Sequence, residues 1–561
     1  MPSPKFALKP YIPVALFFLA IFCLYTTPIV DGDFFWHVSS GQWIWEHKAL
    51  PQSDPFSYMV PQLDPTSYAA ERIRFTLQQY WLGQLALFGI WNSAGAAGIV
   101  LLRAVSYSGI LALLFFWMRS YSRGILPLLL VFLTGTLLQA FPSERPQLFS
   151  FIFMPLTLYL LERIRAGGRN PSVRLLIALP LIMLVWANCH AGFILGVILV
   201  LIYLFANVLG SVAKKEPFCR RANLCLLSAA LITSLNPCGV TAFRVATAGT
   251  PVTASIQEYL SPLQAAVKLH YFFPGYWFYL LLVAGTIACK FRVMKPVHTA
   301  TLAALSLLSL SGLRYLAFPL MASPLLVPYL REREWPRKWT VATLLLVVWM
   351  ATADWERSFT FSADRLFPEK AARFIAAAKP AGEIFNYYDW GGYFMCRIPG
   401  RKVFIDGRGL VDETTLLYEK ALWGADWKGI FDRYRVNTVA IPAISKSTGE
   451  TYPLAGNLLW DKEWHLVYRD DVSLVFVRAT PANAEVIGRH ELGKEEIHRH
   501  VLLMLKRLPK EVWARGEYWI SRGNACYFLG DFTAAAAAFT KAVEIDPGNE
   551  WARRMLRQLG G

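Results

Sequence analysis

Long apolar runs rich in Leu, Val, Ile and Phe fill the chain up to about Ala353, and a normally polar sequence follows from Asp354. A helix needs about twenty apolar residues to cross a bilayer, and fewer where the membrane thins around it. Runs of that kind predict spans centred near residues 20, 107, 132, 154, 181, 200, 230, 282, 304, 321 and 345, about eleven in all. The segment from Tyr80 through Leu85 is amphipathic and predicts a helix at the interface or re-entering the membrane. Beyond Asp354 the apolar period shortens. Glu383 to Tyr388, Lys402 to Ile405 and Asn437 to Ile441 read as strands, Pro368 to Ala378 and Glu413 to Trp423 as helices, and Trp464 to Arg469 with Ser473 to Arg478 as a hairpin turning at Asp470-Asp471. The fold expected is an all-α polytopic membrane domain over 1–353 with an outside loop at 31–76, and an extracytoplasmic α/β domain over 354–482. A helical region follows over 483–561.

Within that last region Trp519, Gly523, Ala525, Tyr527, Gly530, Asp531, Ala535, Phe539, Ala542 and Pro547 follow the spacing of a tetratricopeptide repeat across 516–549. Small residues let its two helices touch. A single repeat cannot bury both faces, so it is expected to stack on the preceding helix, Lys494 to Arg507, or on a protein partner.

Composition and charge fix the setting. With 55% hydrophobic and 17% charged residues, the chain is too apolar for an ordinary soluble protein of 561 residues. Its formal charge of +17 comes largely from Arg and Lys clusters between apolar runs, which orient helices and meet anionic lipid, so nucleic acid is not an expected partner. With the N-terminus cytoplasmic, alternation puts five clusters inside: Arg119/Arg123, Arg163/Arg165/Arg169/Arg174, Lys214/Lys215/Arg220/Arg221, Lys290/Arg292/Lys295 and Arg331/Arg333/Arg337/Lys338. An odd number of crossings then exports everything after Asp354. The first apolar run follows Lys5 and Lys9 and lacks a small-residue cleavage site, so it reads as a retained span. The eight cysteines show neither a disulfide framework nor a metal spacing.

Candidate chemistry starts where the first span ends. Asp31-Gly32-Asp33-Phe34-Phe35-Trp36-His37 places two carboxylates and an imidazole within seven residues. Asp-x-Asp spacing permits shared coordination of a hard divalent ion such as Mg or Mn, and in a helical turn His37 lies on the face of Asp33. Alternatively one carboxylate acts as a general base, or both are solvated residues at a helix end. Other polar residues fall at the expected outer edge of the spans: Glu144, Arg145, Asn188, His190, Asn236, Glu258 and Arg314. Arg145 or Arg314 can neutralise a phosphate, and Glu144 or Glu258 can complete a metal site; His190 can equally link two helices by a hydrogen bond. Farther on, Tyr387, Tyr388, Trp390 and Tyr393 surround Gly391-Gly392, with Asp406 and Arg408 following. They suit either a sugar platform or a packed turn with an Asp–Arg pair. No phosphate-binding glycine loop, Ser-His-Asp arrangement or zinc spacing occurs.

Asp31-x-Asp33-x-x-Trp36-His37 beside the first of many spans, with a polar C-terminal domain outside, resembles the GT-C superfamily of membrane glycosyltransferases. Looser matches to a group of bacterial membrane proteins of this kind lie at Asp54-Pro55-Phe56-Ser57, Arg145-Pro146, Trp186-Ala187-Asn188, Asn236-Pro237, Gly391-Gly392-Tyr393 and Phe404-Ile405-Asp406-Gly407-Arg408. No Trp-Trp-Asp triplet of the oligosaccharyltransferase type occurs. The resemblance implies transfer of a sugar from a polyprenyl-phosphate or -diphosphate carrier to an acceptor at the outer face of a bacterial-type cytoplasmic membrane. It implies Asp31, Asp33 and His37 as catalytic residues, Asp31, Asp33 and Glu258 around a divalent metal, and Trp36, Glu144, Arg145, His190 and Arg314 against the lipid-linked donor. The rival expectation is a membrane scaffold or transporter whose tetratricopeptide end binds a partner. A transporter should show related halves with broken helices, and the sequence has no such symmetry.

Overall fold

The computed structural model describes residues 12–61, 63–64, 66–140, 144–213, 219–248, 257–268, 271–330 and 366–560. The expected span near 345, the break at Ala353, Lys5, Lys9, Lys214, Lys215 and the cluster Arg331/Arg333/Arg337/Lys338 lie outside the described residues. The chain divides into two compact units. One comprises 1–31, 40–52 and 63–362; the other comprises 32–39, 53–62 and 363–561.

The first unit is helical. Among the described residues, three stretches are long and apolar enough to cross a membrane: Tyr68–Arg119, Gln147–Ala166 and Phe193–Val212. Shorter apolar helices run over Val14–Leu24, Leu126–Gln139, Val173–Cys189 and Pro296–Ser309. The segment expected at the interface is a helix starting at Trp81, and it continues to Arg119 through a break at Gly95, whose φ of 56° is one that glycine adopts without strain. The segment near 321 is helical in two short pieces, Ala317–Met321 and Ser323–Leu326, each interrupted or started by proline. Pro155 and Pro180 sit inside their helices, as spans tolerate when neighbouring helices satisfy the freed carbonyls. Tyr107, Phe151, Trp186, Phe193 and Tyr203 fill the bundle core. Phe205, Leu209 and Val212 lie exposed on the Phe193–Val212 helix. Such an outward apolar face is stable in lipid and not in water.

The second unit holds a four-stranded mixed sheet, β1 (Glu383–Asn386), β2 (Val436–Ile441), β3 (Trp464–Arg469) and β4 (Leu474–Arg478), in the order β1-β2-β4-β3. β1 and β2 are parallel, and β4 runs antiparallel to both β2 and β3. β2 and β4 are buried on both faces, as the continuous apolar run Leu474 to Val477 of β4 leads one to expect. The strand expected at 402–405 is instead a pair of isolated bridges at Val403, one to Ile384 and one to Ser57. Residues 53–62 of the first loop therefore belong to this unit: Tyr58 N–H donates to the Val403 carbonyl, Val403 N–H to Phe56, and the Tyr58 hydroxyl to Ile384. The C-terminal hairpin comprises Gly516–Phe528 and Phe532–Ile545, with the Asp531 side chain capping the second helix. It stacks on the preceding Glu495–Arg507 helix: Tyr518 and Ala525 share a core with Ile497, Val501 and Leu505. Its outer half packs separately with the last helix through Ala535, Phe539, Ala552 and Met555.

Candidate functional site

In the first unit, three arginines and three carboxylates gather from five segments far apart in sequence. Arg103, buried on the Trp81–Arg119 helix, pairs with the buried Glu144. Its Nε donates to the Tyr25 carbonyl at 3.0 Å and its Nη2 to Thr27 Oγ1 at 3.1 Å. These groups lie just past the end of the first helix, Ile12–Leu24, so Arg103 fixes both the chain leading to Asp31 and the turn carrying Glu144. Arg145, next along that turn, places Nε 2.5 Å from Asp31 Oδ2 and Nη2 3.5 Å from Glu258 Oε2. Arg314 lies over the Tyr259 ring at 4.7 Å and has Glu258 as an electrostatic neighbour.

His190 completes the lining. Trp186 Nε1 donates to Ser150 Oγ at 2.8 Å, and Ser150 lies 2.7 Å from His190 Nδ1, which also accepts from Gly192 N–H. With Nδ1 accepting, the proton resides on Nε2. The imidazole stacks on Tyr80, and both rings have Arg145 and Arg314 as electrostatic neighbours. The helix-linking role of His190 is thus realised, with one N–H donor to spare.

Among the described residues no group of three or more His, Cys, Asp or Glu side chains is placed to hold a metal ion. The reason at Asp31 and Glu258 is visible, since the Arg145 guanidinium already bridges them. A divalent ion within about 4 Å of that guanidinium meets a repulsion on the order of 8 kcal/mol at an effective dielectric of about 20. Arg145 thus already supplies the positive charge between these two carboxylates. The donor set does not fit a divalent metal in this arrangement.

Asp33, Trp36 and His37 belong to the second unit. Asp33 opens the helix Asp33–His47, where a carboxylate complements the partial positive charge of the helix start. His37 lies one turn on, as its spacing predicts, and is buried against the Trp36 ring. Glycines let this helix start dock. A Cβ on Gly392 would come within 3.0 Å of Trp36 N, and one on Gly407 would collide with the Asp33 carboxylate. Phe35 packs edge-on to Tyr393 at 4.7 Å and to Phe367 at 4.9 Å. Trp390 and Tyr393 are buried and pack the start of the Gly391–Arg397 helix, while Tyr387 and Tyr388 are half-buried. Close by in sequence, Arg408 forms a closed clasp. It grips Asp54 with Nη1 at 2.6 Å and Nη2 at 3.0 Å, and Asp406 with Nε at 2.7 Å and Nη2 at 2.8 Å. Burial alone would lower the Arg408 pKa, but the two carboxylates outweigh it and hold it above the usual arginine value.

Sequence reasoning missed Arg103 and the pairing of Arg408 with Asp54. Arg103 carried a signal, a lone charge inside the apolar run from Ile99 to Leu114. Arg408 and Asp54 are 354 residues apart in sequence, and their pairing carried none.

Comparison with known proteins supports the fold. The tetratricopeptide repeat family matches residues 516–549. Of solved structures, the archaeal oligosaccharyltransferase AglB from Archaeoglobus fulgidus, in complex with an inhibitory peptide and a dolichol-phosphate, superposes with a TM-score of 0.51 at 8% identity, over 84% of this chain and 75% of that one. The apo form of an Archaeoglobus fulgidus oligosaccharyltransferase gives 0.48 at 9% identity, over 85% and 75%. No curated protein matches the chain. The chain has a GT-C-type fold like that of AglB, ending in a tetratricopeptide repeat.

Proposed function

We propose that the protein is a membrane glycosyltransferase that moves a sugar from a polyprenyl-phosphate or -diphosphate carrier to an acceptor at the outer face of a bacterial-type cytoplasmic membrane. The observation that carries this reading is the Asp31–Arg145–Glu258 cluster, with Arg314 beside it, in a fold shared with an enzyme solved with a dolichol-phosphate. Arg145 and Arg314 suit a carrier phosphate, whose negative charge grows as the sugar leaves. Asp31 suits the role of base toward the acceptor. Asp33 is the second candidate for that base, His37, one turn on in the same helix, orients it, and Trp36 contacts the donor. About eleven spans, with a domain boundary near 353, put the α/β domain to about 482 and the helical end to 561 outside. The tetratricopeptide hairpin then offers a surface to an envelope partner.

The test compares transfer from polyprenyl-linked donors by wild type, Asp31→Asn, Asp33→Asn and the double variant at matched expression. Product at the wild-type level from the double variant rejects the acidic pair. Failure of the wild type with every donor favours a scaffold, the reading for which the repeat at 516–549 speaks. A reporter fused after Gly561 that works only in the cytoplasm overturns the topology.

A further inference from the structure

We propose that Arg145 is the resident cation of this site and that a divalent metal is not needed there. The inference deepens the glycosyl-transfer reading and rests on it only for the identity of the leaving group. A cation between Asp31 and Glu258 would serve to neutralise them and then to face the phosphate. Arg145 occupies that position, with one guanidinium touching both carboxylates. Arg103 makes the placement firm, because it ties Glu144, the neighbour of Arg145, to the end of the first helix. The side chains of Asp31, Arg145 and Glu258 are 15%, 26% and 24% exposed, so an entering ligand can reach all three.

A donor phosphate entering beside Arg145 offers the guanidinium a partner of higher charge than Asp31, in the planar two-point geometry that arginine favours. Arg145 shifts onto the phosphate, and Asp31, relieved of that guanidinium, becomes a stronger base. As the bond from the sugar C1 to the phosphate oxygen breaks, its electron pair stays on that oxygen, facing Arg145. The acceptor oxygen or nitrogen bonds to C1, and its proton passes to Asp31. The salt bridge thus holds the base inactive until the donor arrives.

Mn²⁺ binding to the full-length protein in nanodiscs, followed by electron paramagnetic resonance, tests the cation directly, and transfer with and without EDTA is measured alongside. The expected result is no saturable Mn²⁺ binding by the wild type up to millimolar metal, and transfer indifferent to EDTA. Arg145→Ala should lose about 100-fold or more in transfer, recover part of it with added guanidinium, and gain one Mn²⁺ that a further Asp31→Asn removes. Saturable Mn²⁺ binding by the wild type that Asp31→Asn and Glu258→Gln both abolish overturns the proposal, as does EDTA-sensitive transfer. A folded Arg145→Ala that binds no Mn²⁺ also counts against it. Should Arg145→Ala not fold, the wild-type titration decides. If no donor supports transfer, glycosyl transfer is lost as a reading while the Mn²⁺ titration still decides the cation.

Discussion

Each unit sets one arginine against two carboxylates, and the two arrangements differ in everything but residue type. In the second unit the side chains of Arg408 and Asp54 are 0% exposed and that of Asp406 is 5%, and four hydrogen bonds use every guanidinium nitrogen. In the first unit Arg145 lies 2.5 Å from Asp31 and 3.5 Å from Glu258, and the three side chains are partly exposed. A sealed, two-point clasp cannot exchange partners without leaving a buried charge, so it fixes structure. A partly exposed bridge can exchange at smaller cost, and it suits a site that must trade one anion for another. Geometry, not residue choice, separates the two roles.

The largest expected effect breaks the comparison on the functional side. Asp31→Asn should lower transfer by about two to four decades with little change in melting, measured on matched purified protein. Asp33→Asn should lose as much if both carboxylates take part, and much less if its work is to start a helix, where the charge contributes about 0.3–1 kcal/mol. On the structural side, Arg408→Ala strands two buried carboxylates and should destabilise the second unit by about 3–5 kcal/mol, read from thermal unfolding or limited proteolysis. Preserved melting of that variant would remove the distinction between clasp and bridge.

A buried histidine gives the second unit a pH signature. His500 Nδ1–H donates to the Asp470 carbonyl at 2.8 Å, while Nε2 is buried without a partner. Burial, which outweighs the favourable Asp470 carbonyl, pushes its pKa down to about 4. The unfolded chain, with a histidine pKa near 6.5, binds the proton first, so stability falls as pH drops from about 6.5 to about 4. The loss approaches about 3 kcal/mol, and hydrogen exchange across 495–507 should report it; His500→Gln should flatten the slope. The smallest effect concerns the C-terminal end. Cutting after Arg515 removes Tyr518 and Ala525 from the second unit's core, so the separable piece begins later. Ending the chain at Gly530 should leave transfer within about twofold while weakening partner capture, as expected for a change away from core and site. Loss of transfer in a stable truncation would tie the repeat to the chemistry.

Much of the architecture was legible because its causes are local. Apolar runs marked the helical unit, the alternating Val and Phe of 464–478 marked a hairpin that forms as expected, and small residues at fixed spacing marked the repeat. The helix expected at Glu413 to Trp423 forms over Asp412–Leu422. The errors have a common origin in contacts distant along the chain. Lys402 to Ile405 looked like a strand because Val403, Phe404 and Ile405 form an apolar, β-prone run, yet Val403 pairs only singly, with Ile384 of β1 and with Ser57 of the first loop, and only bridges result. Asp31 and Asp33 are separated by Gly32 alone, and the boundary between the two compact units falls there, which nothing in the local sequence marks. Glu258 and Arg145 were each visible as charges at a helix edge, while their shared contact was not.

Synthesis order gives the Ser57–Val403 bridge a further meaning. Asp54 and Tyr58 emerge early from the ribosome, and their partners Arg408 and Ile384 follow 354 and 326 residues later. At about 5–20 residues per second, that delay is roughly 20–70 s. Throughout it the 53–62 segment is a nascent chain with unpaired backbone and an unneutralised Asp54, and no later step can close the second unit before the region around Val403 is made. The protein must therefore keep one early loop unfolded, shielded and accessible while the rest of the helical unit is built.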